Sequence, residues 1–387
     1  MDFALTEQQE SIRQMVRAFA EKEIEPDIDR WEEERHFPKH LFPGMARLGL
    51  AGMTCSERYG GSALDRVSMA LVAEELGRVA RSLSFIAVHN MVVSLLEAGG
   101  TEAQKQRWLP PMAGGRALAA FALTEPEAGS DNRALRTNAV RDGDRYVLDG
   151  TKQFISHADQ AEVLAVAART GPPGEPRGGI SVVLVEAGTP GLSIPKREKK
   201  MGLHSTTACQ VVFEGCRVPV EHRIGDENEG LGLMLRALAG GRINTAAFAV
   251  GGAQRAFEVA RDYAGQRVQF GRPIASFQAI QFMLADMKMQ LDAARLLVYR
   301  AATLLDQGER GVLEAAVAKC FATDMAMKVT TDAVQILGGY GYIQDYKVER
   351  YMRDAKVGQI VEGTNQIQRL LIARELLKDG ASASLRL

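Results

Sequence analysis

Hydrophobic and polar positions change period twice along the chain. From Thr6 to about Gly115 apolar residues recur at helical spacing. Ile12, Val16 and Phe19 share one face, and Asp65–Ala80 and Ser82–Ala98 repeat the pattern. Thr6 with Gln9, and Thr101 with Gln104, read as capping boxes that start helices; Pro26 stops the first run and Pro110-Pro111 is expected to close the last. Between about Leu118 and Arg223 the period becomes two. Glu162–Ala168 and Ile180–Glu186 are rich in β-branched residues, and Asp142-Gly143 and Asp149-Gly150 are placed at turns. Beyond Asn228 long helical patterns return, through Ala264, over Ser276–Leu305, over Gly311–Leu337 and over Thr364–Leu377. The expected fold is α+β and multidomain: an N-terminal α-helical domain (1–117), a middle antiparallel β-domain (118–225) and a C-terminal four-helix bundle (226–387).

Composition narrows the function classes. The chain has 387 residues, 46% of them hydrophobic, and its 47 basic and 48 acidic residues leave a net charge of −1. With no basic run interleaved with aromatics, nucleic acid is set aside as a partner. No apolar stretch is expected to cross a bilayer, and Met1-Asp2-Phe3-Ala4-Leu5 has neither a basic n-region nor an Arg-rich presequence, so the chain reads as cytoplasmic. Its four cysteines contain no Cys-x-x-Cys pair and read as reduced thiols. Pro38 between His36 and His40 spoils a helical metal face, so no metal site is expected.

Candidate chemistry centres on Glu362. It lies in Gln359-Ile360-Val361-Glu362-Gly363-Thr364-Asn365-Gln366, a carboxylate between apolar neighbours and a glycine, ahead of a helix that Thr364 or Asn365 could cap. A poorly solvated carboxylate gains proton affinity and serves as a base near neutral pH. A charge that merely complements the helix dipole is the competing reading. Four further segments are candidates for cofactor contact. Leu123-Thr124-Glu125-Pro126 runs into Ala128-Gly129-Ser130-Asp131, a turn whose N–H groups and hydroxyls suit a flat acceptor-rich ring or a phosphate. Phe154 and Ser156 share one side of a strand and offer an aromatic cover beside a hydroxyl. Gln266-Arg267-Val268-Gln269-Phe270-Gly271-Arg272 joins two helices with arginines around an aromatic, as a pyrophosphate loop does. Gln335-Ile336-Leu337-Gly338-Gly339 lacks the Gly-x-Gly-x-x-Gly spacing and follows a helix, so it does not signal a βαβ nucleotide unit. Gly171-Pro172-Pro173-Gly174-Glu175-Pro176 reads as a surface connection or, less simply, a Pro-rich ligand.

Taken in order, these segments, with Met352-Arg353-Asp354-Ala355-Lys356, resemble the acyl-CoA dehydrogenase family over nearly the whole chain. The resemblance implies a homotetramer that binds FAD noncovalently between the β-domain and the C-terminal bundle and passes electrons to electron-transfer flavoprotein. It places Leu123, Thr124, Gly129 and Ser130 along the flavin with Phe154 and Ser156 across from them. Arg267, Phe270, Gln278, Gln335 and Gly339 fall on positions that reach a neighbouring subunit's FAD, and Thr364 and Gln366 approach the flavin of their own chain. Glu362 falls on the family's base, whose own backbone N–H helps hold the enolate oxygen. Ser130, Gly241, Arg242, Val361 and Gly363 fall on the acyl-CoA site. The alternative base position ahead of Arg242 is empty here, because no acid occurs between Glu229 and Glu258. Phe154 stands where many members have tryptophan, Glu127 where glycine is common, and Val361 where medium-chain enzymes carry tyrosine. Gly240-Gly241-Arg242-Ile243-Asn244 with Phe154-Ile155-Ser156 resembles the isobutyryl-CoA branch, although paired glycines equally suit close helix packing. The implied activity is α,β-dehydrogenation of a short or branched acyl-CoA, isobutyryl-CoA first. A flavin oxidase or monooxygenase on the same scaffold, or a noncatalytic acyl-CoA-binding protein, are the rivals.

Overall fold

The computed structural model describes residues 4–172, 179–308 and 311–377. In chain order the elements begin with helices α1 (Glu7–Glu23), α2 (Ile28–Glu34), α3 (Phe42–Arg47), α4 (Arg66–Val79), α5 (Phe85–Gly99) and α6 (Glu102–Ala113). Strands β1 (Ala119–Ala122), β2 (Asn138–Asp142), β3 (Arg145–Ser156), β4 (Val163–Arg169), β5 (Ile180–Glu186), β6 (Leu192–Arg197), β7 (Ala208–Pro219) and β8 (Arg223–Ile224) follow. Then come α7 (Gly230–Gln266), the short strands β9 (Val268–Gln269) and β10 (Arg272–Pro273), α8 (Gln278–Asp306), α9 (Val312–Leu337), α10 (Gly339–Tyr342), α11 (Val348–Gly358) and α12 (Asn365–Leu376). Both capping boxes form as expected, and Thr364 caps α12 by accepting from the Ile367 N–H. All four cysteines are buried and free.

The described residues divide into two compact units. One comprises residues 27–65 and 82–241 and is built on an eight-stranded sheet in the order β6-β7-β3-β2-β4-β5-β8, with β1 also paired to β4. The sheet is largely antiparallel, but β1 and β2 run parallel to β4, which makes it mixed. Strand β4 shows why its sequence is an unbroken apolar run. Val163, Ala165 and Ala167 enter a core lined by α5, α6 and the start of α7, while Leu164, Val166 and Ala168 enter the core on the sheet's other face with Tyr146, Leu148 and Phe213.

Three expectations are corrected here. Asp149-Gly150 is not a turn: it lies inside β3, where the register with β7 slips between Leu148 and Gly150. A Cβ on Gly150 would sit 2.7 Å from the Thr137 Cα, so glycine serves a close backbone approach at a bulge. Pro110 and Pro111 lie within α6 and do not end it, because in the last turn few donors are lost and their carbonyls still accept from Gly114 N (3.0 Å) and Arg116 N (2.9 Å). Contrary to the hydropathy expectation, Arg81–Gly99 is apolar and long enough to cross a bilayer by length and composition, yet 67% of its apolar window is buried inside the protein. It is a core segment that passes the same test. The Pro-rich reading of Gly171–Pro176 falls mostly outside the described residues.

The other unit collects residues 1–26, 66–81 and 242–387, so α1 and α4 belong with the later part of α7 and the C-terminal helices. Glycines let α4 and α7 approach closely. A Cβ on Gly77 would meet the Phe248 carbonyl oxygen at 2.6 Å, and one on Gly251 would overlap the Glu74 carbonyl oxygen. Part-buried pairing also ties these helices together, as Arg295 of α8 reaches Glu74 at 2.8 Å and Arg78 reaches Glu258 at 2.8 Å.

Candidate active site

Glu362 follows α11 in a six-residue connection to α12 (359–364), and its backbone is left-handed (φ 55°), as is that of Gly363 (φ 89°). For glutamate this conformation is costly and must be imposed by surroundings. Hydrogen bonds supply the constraint. The Glu362 carbonyl accepts from Gln368 Nε2 (3.1 Å) and Arg242 Nε (3.4 Å), and the Gly363 carbonyl accepts from Gln368 Nε2 (2.9 Å) and Lys319 Nζ (2.8 Å). Asn365 N donates to the Gln359 carbonyl at 3.0 Å, closing the connection on itself.

Glu362 is half-buried as a residue, but its Oε2 is buried and has no hydrogen-bond partner. Burial pushes the Glu362 proton affinity up, opposed by a hydrogen bond with Thr245 and by the charges of Arg242, Lys319 and Arg81; burial prevails. The three cations in turn pay for dry surroundings. Burial lowers Arg81 to about 10 and Lys319 to about 8, with Glu362 pulling both back up. A carboxyl with raised proton affinity and one free buried oxygen is equipped to take a proton from a carbon acid held beside it. Among the described residues no acceptor takes the Glu362 N–H, which leaves it available to an oxyanion.

Of the residues assigned to the acyl-CoA site, Arg242 and Gly363 therefore join Glu362 directly, and Val361 flanks it at 37% exposure. Thr364 is engaged as the α12 cap, while Gln366 is exposed on the first turn. Arg81, Thr245 and Lys319 were not singled out by sequence, and Asn365 was weighed only as an alternative cap of α12. Arg81 falls between two helical runs, the others sit in ordinary helical patterns, and a lysine inside Ala315-Ala316-Val317-Ala318-Lys319 gave only the weak signal of one charge in an apolar run.

A second group in the same unit surrounds a cavity of about 540 Å³ lined by Tyr263, Arg267, Gln269, Ile336, Gly339 and Tyr340 among others. Arg267 lies over the Tyr340 ring at 5.5 Å. Phe270, at the β9–β10 hairpin, is left-handed (φ 53°) and 93% exposed, with Gln278 opening α8 close by in sequence. Gln335 is exposed near the end of α9 and does not line this cavity. An arginine, amide groups and a glycine-rich helix end make a donor set suited to a pyrophosphate. Gly241 is a buried residue of α7 in the other unit.

That other unit also carries the Leu123–Asp131 turn. Its anchor is Glu125, whose carboxylate accepts from Arg136 N (2.6 Å), Thr137 N (2.9 Å) and Lys152 Nζ (2.7 Å). Lys152 also donates to the Leu123 carbonyl at 3.1 Å, and Gln153 N donates to the Thr124 carbonyl at 2.8 Å. With its backbone tied to β3, the turn leaves Gly129 and Ser130 exposed, and a Cβ on Gly129 would meet nothing within 4 Å. Glu127, the departure from glycine, forms an exposed ion pair with Arg136. Phe154 is not on a regular strand. It occupies a β3 bulge at φ 60°, 62% exposed, beside buried Ile155 and half-buried Ser156. Exposed donors near an outward-facing ring fit a flavin: the one meets the ring system's acceptors and the other its flat face.

Comparison with known proteins decides the family. The N-terminal, middle and C-terminal domain models of acyl-CoA dehydrogenase match residues 6–116, 120–216 and 228–377. The chain is a member of the acyl-CoA dehydrogenase family. It is thus an oxidoreductase of the acyl-CoA CH–CH bond, and the cofactor of the family is FAD. Isobutyryl-CoA dehydrogenase of Dictyostelium discoideum is 42% identical over 97% of this chain and 90% of its own. Butyryl-CoA dehydrogenase of Megasphaera elsdenii superposes with a TM-score of 0.95 at 41% identity, covering 98% of this chain and all (100%) of that one. A chain from a structure described as the electron transferring flavoprotein of Acidaminococcus fermentans superposes at 0.96 with 45% identity, covering 98% and 100%.

Proposed function

We propose that this acyl-CoA dehydrogenase desaturates a short or branched acyl-CoA, isobutyryl-CoA first, with Glu362 as the base that removes the proton from carbon 2. The observation that carries the reading is the buried, unpartnered Glu362 Oε2 held among Arg81, Arg242 and Lys319. The carboxylate takes the proton, the free Glu362 N–H steadies the charge that develops on the thioester oxygen, and Arg242 fixes the carbonyl of the base itself. FAD, when bound, accepts the hydride equivalent from carbon 3. Leu123, Thr124, Gly129, Ser130, Phe154 and Ser156 hold it in the proposed arrangement, with Thr364 and Gln366 near the base. Arg267, Phe270, Gln278, Gln335 and Gly339 serve the FAD of a neighbouring subunit in a homotetramer. The near-complete exposure of Phe270 supports a partner there. Ser130, Gly241, Arg242, Val361 and Gly363 bound the acyl-CoA, and Val361 leaves more room than tyrosine would.

A small-chain substrate is supported by the likeness to isobutyryl- and butyryl-CoA dehydrogenases, and electron-transfer flavoprotein as acceptor by the likeness to the Acidaminococcus chain. A cytoplasmic setting goes with this reading. Anaerobic flavin bleaching by a panel of isobutyryl-, 2-methylbutyryl-, butyryl- and octanoyl-CoA tests it. The wild type should bleach fastest with isobutyryl-CoA, and Glu362→Gln should retain FAD yet bleach at least about 10³-fold more slowly. Wild-type rates in that variant would remove Glu362 from the chemistry.

A further inference from the structure

Lys319 is a completely buried lysine in the middle of α9 (0% exposed), and its ammonium faces the connection that carries Glu362. It donates to the Gly363 carbonyl at 2.8 Å and to Asn365 Oδ1 at 2.9 Å. Asn365 is itself fixed: its Nδ2 donates to Thr323 Oγ1 (2.9 Å) and Asp324 Oδ1 (2.7 Å), and Thr323 Oγ1 donates to the Lys319 carbonyl (2.7 Å). The network thus begins and ends on α9 and has the start of α12 and the left-handed Glu362-Gly363 turn between. A stability role alone explains it poorly. Burying an ammonium is expensive, and a neutral residue in a helix next to Asn365 would avoid that cost.

The charge has a use at this place. Groups facing Glu362 are Arg242 and Thr245 of α7, Arg81, and Lys319 of α9; those facing Lys319 are Glu362, Arg81, Arg242 and Cys320. Arg242 is bonded to the Glu362 carbonyl and Arg81 to the Thr245 carbonyl, so both are tied to backbone around the carboxyl. Lys319 alone of the three holds the turn from the α9 side. Resting on the assignment of Glu362 as base, we infer that Lys319 is a positioning residue for catalysis: its ammonium locks the Glu362-Gly363 turn from behind through the Gly363 carbonyl and Asn365. Two consequences follow from one contact. The hydrogen bond to Gly363 keeps the strained φ of Glu362 and hence the aim of its carboxyl, and the charge keeps the base ionised at a lower pH than burial alone allows.

The test uses the full-length holoenzyme and butyryl-CoA. Lys319→Met removes charge and donor at similar volume; Lys319→Gln removes the charge but keeps a donor. Flavin content, KM, kcat and the pH dependence of kcat/KM are measured for both and for Glu362→Gln. In Lys319→Met the acid limb of kcat/KM should move to higher pH by on the order of one unit, a roughly tenfold loss at fixed pH on that limb, with flavin content and KM kept near wild type. Lys319→Gln should show the same displacement, and it decides the matter if the methionine variant does not fold. A folded, flavin-loaded variant whose limb coincides with the wild type overturns the inference. Loss of activity in Glu362→Gln alongside that result would leave the base assignment standing, whereas an active Glu362→Gln would strike the base assignment itself.

Discussion

Removing one member of the Glu125–Lys152 pair gives the sharpest energetic test of the cofactor turn. Their side chains are 6% and 0% exposed and meet at 2.7 Å. Burial lowers Lys152 to about 8 against the pull of Glu125; burial also pushes Glu125 upward, but Lys152 and the Arg136 and Thr137 contacts outweigh it and its net shift is down. Glu125→Gln leaves a buried ammonium without a counter-charge and one of two backbone N–H groups without an acceptor, which should cost about 3–5 kcal/mol. Lys152→Met strands the carboxylate and should cost about 3 kcal/mol. The double variant keeps only the N–H defect, about 1–3 kcal/mol, so the two substitutions should couple by at least about 3 kcal/mol. The sign with pH follows from linkage. The unfolded lysine titrates near 10.5 and the folded one at or below about 8, so the unfolded state binds more protons between these values. Without Glu125 the folded lysine titrates lower still, so the cost of Glu125→Gln should shrink as pH rises toward about 8 and stay level from 8 to 10.5, where both folded proteins have already lost that proton. Urea unfolding followed by far-ultraviolet circular dichroism, with flavin absorbance after gel filtration, measures both quantities. Single costs that add within about 0.5 kcal/mol would refute the pairing as the turn's anchor.

Two other expectations concern the remaining scaffold. Burial holds His89 at about 3 and His157 at about 4, below the ordinary 6.5, so both stay neutral when folded and the unfolded chain takes up protons first. Stability should fall as pH drops through 6.5, by on the order of 4 kcal/mol at pH 5, and His157→Gln should remove about half of that dependence in urea titrations; an unchanged slope would contradict it. Gly251→Ala should destabilise by roughly 1–3 kcal/mol in the same assay, because its Cβ meets the Glu74 carbonyl and not a movable side chain; a neutral result would show that α4 and α7 can part freely.

Much of this molecule is written in local pattern. The capping boxes at Thr6 and Thr101 and the β5 strand at Ile180–Glu186 lie where the sequence placed them, since each depends on residues a few positions apart. Glu362 was conspicuous for the same reason, a charge in apolar company. What pattern could not carry depends on distant chain. Lys319 reads as a routine helical lysine until Gly363 and Asn365, over forty residues on, are folded against it. Phe154 and Phe270 adopt left-handed backbone that no preference of phenylalanine announces, and Asp149-Gly150 has turn chemistry although a neighbouring strand, through Thr137, turned it into a bulge.

The interrupted path of the unit holding residues 1–26, 66–81 and 242–387 has a consequence for biosynthesis. Helix α4 leaves the ribosome long before the α7 segment that its Gly77 is shaped to receive. At about 5–20 residues per second the wait is roughly ten to thirty seconds. During that interval a sticky helix has no permanent seat, so a nascent chain stalled before Phe248 is the form in which chaperone capture should be greatest.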